Sequence, residues 1–113
     1  MARRAAKVDA NQAAIVGELH AVGASVQPLH TVGQGVPDLL VGFRGQNWLI
    51  EVKDGSKPPS DRKLTPAQQE WHALWRGQVI TVTNGDEALR ALGVGTYADL
   101  HRQIVGEINE GNA

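Results

Sequence analysis

The 113-residue chain contains no cysteine, which excludes disulfides and zinc–thiolate sites and leaves oxygen or histidine to hold any metal. Aromatic residues are scarce at 4%, and no apolar run approaches the ~18 residues a membrane-spanning helix needs. The basic start MARRAAKVDANQ is broken by Lys7, Asp9, Asn11 and Gln12 before an apolar stretch of signal-peptide length develops. A single domain over residues 1–113 is expected, cytoplasmic and without membrane association. A chain of this length buries roughly two thirds of the surface it exposes when unfolded, enough to fold without covalent staples.

There is also little net charge, with 11 Lys and Arg against 12 Asp and Glu. That argues against a uniformly basic nucleic-acid-binding surface, but the charges are unevenly distributed. Residues 1–63 hold eight basic and six acidic groups; residues 64–113 hold three and six. Arg3, Arg4 and Lys7 form a basic arm over residues 1–8, and Lys53, Lys57, Arg62 and Lys63 form a second patch.

Apolar residues at Ile15, Leu19 and Val22 have helical spacing, so a helix is expected from Asp9 as cap to a stop at Gly23. Residues 25–32 read as an edge strand because Pro28 interrupts them. Stronger strands follow at 37–43 (PDLLVGF) and 47–54 (NWLIEVKD), joined by a tight hairpin. Residues 54–63 (DGSKPPSDRK) read as a flexible surface loop. Thr65 and Pro66 have the cap-then-proline signature of a helix start, continuing to about Arg76, with Trp71, Leu74 and Trp75 as its core contacts. A β-branched strand at 78–83 and helices at 86–92 and 96–110 complete an α/β chain with a sheet flanked by helices.

Alternation along a strand places Asp38, Leu40 and Gly42 on one face, and Leu49, Glu51 and Lys53 on one face of the next. With Gly45 and Gln46 at the centre of a two-residue turn, Leu40 pairs with Glu51 and Asp38 with Lys53. Asp38 and Glu51 then lie diagonally across the same face, about 7 Å apart at Cβ, within reach of one ion; a three-residue turn would change this register. Two partly buried carboxylates repel each other unless one keeps its proton or a divalent cation intervenes. Magnesium, with oxygen ligands and retained waters, suits such a pair, and an adjacent lysine can stabilise charge developing on a phosphoryl group.

These segments resemble a known family. GVPDLLVG followed by LIEVKDG is similar to the PD-(D/E)XK nuclease signature, and LTPAQQEW resembles the helix motif of its VRR-Nuc branch, to which the archaeal Holliday-junction resolvases are related. The resemblance covers about residues 9–83. It implies a restriction-endonuclease-like core, a mixed four-stranded sheet in the order αβββαβ with extra helices over 86–110. It further implies Asp38 and Glu51 as metal ligands, Lys53 as the catalytic lysine, the Val52 carbonyl as a further ligand, and Gln68 close to the site. The alternative for Gln68 is a helix-surface amide, but it lies one and two turns before Trp71 and Trp75 on nearly the same stripe, so an inward position is expected. Family members commonly carry a glutamate in the first helix, where this chain has Gln12. At about 100° per residue Gln12 falls roughly 35° from the centre of the apolar stripe and faces the sheet, whereas Glu18 falls about 85° away. Gln12 is therefore the candidate neutral ligand, with Glu18 and Asp9 as substitutes.

The expectation is a magnesium-dependent endonuclease acting on branched, flap or junction DNA, with manganese as a substitute, in recombination or repair and in a phage setting. Arg3, Arg4, Lys57, Arg62, Lys63 and His72 are the candidate DNA contacts. A homodimer is expected, with Leu100, Ile104, Val105 and Ile108 as candidate interface residues. Alternatives are a catalytically weakened DNA-binding or assembly module and hydrolysis of RNA or a nucleotide. Gly33 and Gly35 do not form a dinucleotide fingerprint and are expected to permit tight backbone before Asp38.

Overall fold

Ile15 and Leu19, one helical turn apart, are fully buried and anchor the first helix, α1 (Gln12–Ala21). It stops where expected: Gly23 adopts φ +90°, with its N–H on His20 O and the Ala24 N–H on Leu19 O. In this computed structural model, which describes residues 9–95, α1 is followed by β1 (Ser25–Pro28), β2 (Leu39–Phe43) and β3 (Gln46–Val52), then α2 (Pro66–Leu74), β4 (Val79–Val82) and α3 (Gly85–Ala91). The expected helix at 96–110 lies outside the described residues.

The strands form one mixed sheet in the order β1-β2-β3-β4. β1–β2 and β2–β3 are antiparallel, and β3–β4 is parallel through the α2 crossover. β1 is the edge strand its proline suggested, though it ends at Pro28 rather than reaching residue 32. The loop at 54–63 contains a short 3-10 turn at Pro59–Asp61, with Asp54 accepting from the Ser56 N–H and hydroxyl.

One face of the sheet carries the core. Leu39, Val41, Trp48, Ile50, Val52 and Val82 pack with Ile15 and Leu19 of α1 and with Ala88, Leu89 and Leu92 in and just after α3. Fully burying each large aliphatic side chain contributes roughly 1.5–3 kcal/mol. Leu19→Ala is therefore expected to lower unfolding free energy by about 2–5 kcal/mol, measured by denaturant titration. The opposite face, bearing Asp38, Glu51 and Lys53, lies beneath α2, whose Gln68 reaches both Glu51 and Lys53. The chain is thus layered helix, sheet, helix.

Two expectations are corrected here. The hairpin turns on Arg44 (φ 51°) and Gly45 (φ 79°), pairing Phe43 with Gln46, instead of on Gly45 and Gln46. Positive φ at both central residues gives the turn whose twist matches its strands. In addition, α2 is not a core helix. None of its residues is buried, and Leu74 and Trp75 are 70% and 46% exposed, because α1 and α3 already fill the core face.

Candidate active site

The observed hairpin register pairs Leu39 with Ile50, and one further step along it sets Asp38 directly opposite Glu51. Sequence reasoning placed that pair on a diagonal with Asp38 opposite Lys53. The shift is two residues, and because side chains alternate with period two, the faces are preserved while the carboxyls come closer. Asp38 is held from both sides. Pro37 before it is fully buried, the Asp38 carbonyl accepts from the Leu29 N–H at 2.7 Å, and Asp38 Oδ2 accepts from the Val52 N–H at 2.7 Å.

Both carboxyls are buried, Asp38 at 7% and Glu51 at 2% exposure. Burial, followed by the negative charge of Asp38, pushes Glu51 up to about 8, against the pull of the Lys53 ammonium. Asp38 is also raised by burial, opposed mainly by the Val52 N–H. The two carboxyls face each other, so burial and the neighbouring negative charge together favour the protonated form of Glu51.

Gln68 ties this pair to α2. Its Nε2 donates to Glu51 Oε1 at 2.8 Å, while its Oε1 accepts from Lys53 Nζ at 2.8 Å and from the Thr65 N–H at 2.9 Å. Thr65 Oγ1 accepts in turn from the Gln68 N–H, closing a capping box. One side chain thus caps the helix, orients the lysine and holds the acid. It is an inward-facing residue, not a surface amide.

These residues line a pocket of about 410 Å³ with Asp9 and the loop 33–36. Gly33, Gln34 and Gly35 all have positive φ. Gly35 is packed so closely that a Cβ there would lie 2.4 Å from the Ala67 carbonyl oxygen, so the expected tight backbone is a contact between this loop and the start of α2. Gly35→Ala is expected to destabilise the fold more than Gly23→Ala. Gly23 also has positive φ but open space around it, so its substitution costs only about 1–2 kcal/mol of conformational strain. Thermal unfolding of the two variants checks this.

The first helix contributes differently from expectation. Asp9 does not cap it; the N-cap is Asn11, whose Nδ2 instead donates to the Lys53 carbonyl at 3.0 Å and the Thr83 carbonyl at 2.7 Å. That pins the start of α1 to the ends of β3 and β4 and leaves Asp9 on the pocket wall, where its charge is felt by both Asp38 and Glu51. No sequence signal distinguishes this Asn from an ordinary cap. Gln12 faces inward as expected, is buried and has its Oε1 unpartnered, but it does not line the pocket. Glu18 packs against Gly85 at the start of α3, away from the pocket.

Lys57 lies beside Asp54, Arg62 within electrostatic reach of Glu87, and Lys63 is exposed; none of them lines the pocket. His72 is half-buried with its Nε2 unpartnered, and burial and the neighbouring Lys53 charge lower its pKa. Both disfavour its charged form. Arg3 and Arg4 lie outside the described residues.

The donor set fits a hard divalent cation. Among the described residues Glu51 Oε2 is buried without a donor, the second carboxyl is directly across the strand pair, and a cation's charge would offset the repulsion between them. Among the described residues no three His, Cys, Asp or Glu side chains converge on one point, so the charged donors are two carboxylates. That composition suits magnesium, which is commonly held by one or two carboxylates and waters, better than zinc.

No family model matches the sequence, and no curated protein matches it. A solved structure described as a VRR_NUC domain is similar to it, with 30% sequence identity and a TM-score of 0.55. The match covers 73% of this chain and 89% of that one. Its mixed four-stranded sheet with flanking helices is the restriction-endonuclease-like fold.

Proposed function

Because this chain belongs to the VRR-Nuc family, a branch of the PD-(D/E)XK nuclease superfamily, we propose that it is a metal-dependent endonuclease hydrolysing DNA phosphodiester bonds at branched, flap or junction structures. The observation that carries this reading is the directly opposed Asp38–Glu51 pair beside Lys53 in an open pocket, bridged by Gln68. Asp38 and Glu51 would hold magnesium or manganese, with the Val52 carbonyl and Gln12 Oε1 as neutral candidates to complete the set. When bound there, a divalent cation would supply Lewis-acid stabilisation of the phosphoryl oxygens and a more acidic water.

The chain's own residues perform the remainder. Lys53, fixed by Gln68, places positive charge against the phosphoryl group as its negative charge grows. The Val52 N–H keeps Asp38 in one orientation, so no reorganisation is needed when substrate arrives. Lys57, Arg62, Lys63, Arg3 and Arg4 would position the duplex through its phosphates without reading sequence, and His72 would add a further contact. In this proposal two chains act as a dimer, in phage recombination or repair; the interface residues expected for it lie beyond residue 95.

Labelled branched, flapped and linear DNA, with RNA alongside, should be incubated with the protein in magnesium, manganese or chelator. Cutting of branched DNA that needs metal and is lost in Asp38→Asn is the expected result. Cutting that survives Asp38→Asn removes the site assignment. Binding without cutting in every metal favours a weakened DNA-binding module, the reading to which the uncharged Gln12 points.

A further inference from the structure

Beyond the pocket lies a second cleft of about 280 Å³, lined by Gln34, Ala67, Glu70, Trp71 and Leu74. Gln34 belongs to both walls, so the cleft opens beside the carboxylate pocket. We propose that this cleft receives an unpaired nucleobase of the substrate strand, stacked on Trp71 and held at its edge by Gln34, and so makes the enzyme select branched or tailed nucleic acid. The inference rests on the nuclease reading and assigns the substrate class of that same site.

Three observations favour a base over other occupants. Trp71, whose indole lines the cleft, is half-buried on a helix none of whose residues is fully buried, and Trp75 stacks on it at 4.7 Å. Such an aromatic pair is a platform for any base, because every base has a π-face. Among the described residues the rim is polar but not cationic: Gln34 offers a donor and an acceptor and Glu70 acceptors, so the cleft suits a base edge better than a phosphate. Finally, Gln34 is an exposed non-glycine residue at φ 61°, between glycines at 72° and 82°. Glycine would occupy that backbone without strain, so the fold alone gives no reason for a long amide there. A duplex keeps its bases stacked on one another and cannot fill the cleft.

The test measures binding in chelator, with no cleavage. A duplex carrying a short single-stranded tail, with 2-aminopurine as the first unpaired base, is compared with the same duplex blunt-ended. The wild type is expected to prefer the tailed form and to quench the 2-aminopurine on binding. Trp71→Ala is expected to lose about 5- to 100-fold in affinity for the tailed form only, the range of base–aromatic stacking, with Trp71→Phe restoring most of it. Gln34→Gly is expected to unfold at the same or a higher temperature and yet lose tail preference, whereas a purely structural Gln34 would change only stability. Full tail preference in Trp71→Ala or in Gln34→Gly overturns the assignment and leaves the nuclease reading standing. So does a concentration-dependent dimer that Trp71→Ala dissociates without changing tail preference, which gives the cleft to a second copy. No binding or cutting of any nucleic acid by the wild type overturns both.

Discussion

Alanine at position 53 is expected to slow phosphodiester cleavage by roughly 10²–10³-fold, the loss found when one preorganised charge-stabilising donor is removed. The fold should remain. Lys53 Nζ sits 3.9 Å from Glu51 Oε1 and donates to Gln68 Oε1, but that oxygen keeps the Thr65 N–H, so the capping box that starts α2 is untouched. Single-turnover cleavage in saturating magnesium, alongside thermal unfolding, separates lost chemistry from lost structure. An unchanged cleavage rate would remove Lys53 from the mechanism. Gln68→Ala should combine both effects, because it releases the lysine and the acid and opens the cap together.

The second large effect has opposite signs on stability and activity. In the metal-free folded chain Glu51 keeps its proton up to pH about 8, whereas an unfolded glutamate releases it near 4.5. The folded state therefore binds more protons across that window. Glu51's contribution to stability is fully present below about 4.5, falls as pH rises, and is lost through pH about 8, with a slope of at most ~1.4 kcal/mol per pH unit. Glu51→Gln replaces an awkward carboxyl by an amide of the same shape, so its unfolding temperature in chelator should fall less across this range, where the raised Asp38 still contributes, and should exceed the wild type's at the alkaline end. Magnesium should stabilise the wild type most at that end and leave the variant unmoved, while the variant's cleavage falls by about 10²-fold or more. A variant less stable than wild type at pH 8 in chelator would show that the pair is not under electrostatic strain.

The faces of β2 and β3 were legible in the sequence even though the register was not. Alternation depends only on parity, so a turn misplaced by one residue moves the pairing by two and leaves Asp38 and Glu51 on one side. The turn itself was not legible: RGQN offers Gly45 equally well as a first or second central residue, and strand twist chose the arrangement that places Arg44 at positive φ. For α2, the Trp71, Leu74 and Trp75 spacing reads the same whether the stripe meets a core or lines a cleft. Only the placement of α1 and α3 on the other face of the sheet left it uncovered.

Local chemistry thus determined the order of the elements between residues 9 and 95, the caps at Thr65 and Gly23, and the set of acids and lysine on one surface. The reason is that elements and caps depend on residues a few positions apart, and the shared surface depends only on strand parity across a short turn. Tertiary structure decided which acid faces which, that Asn11 pins α1 through two carbonyls, that Asp9 joins the pocket wall, and that Gln68 serves helix, lysine and carboxyl at once. Those outcomes depend on groups up to 72 positions apart, whose distances are fixed only when the core closes.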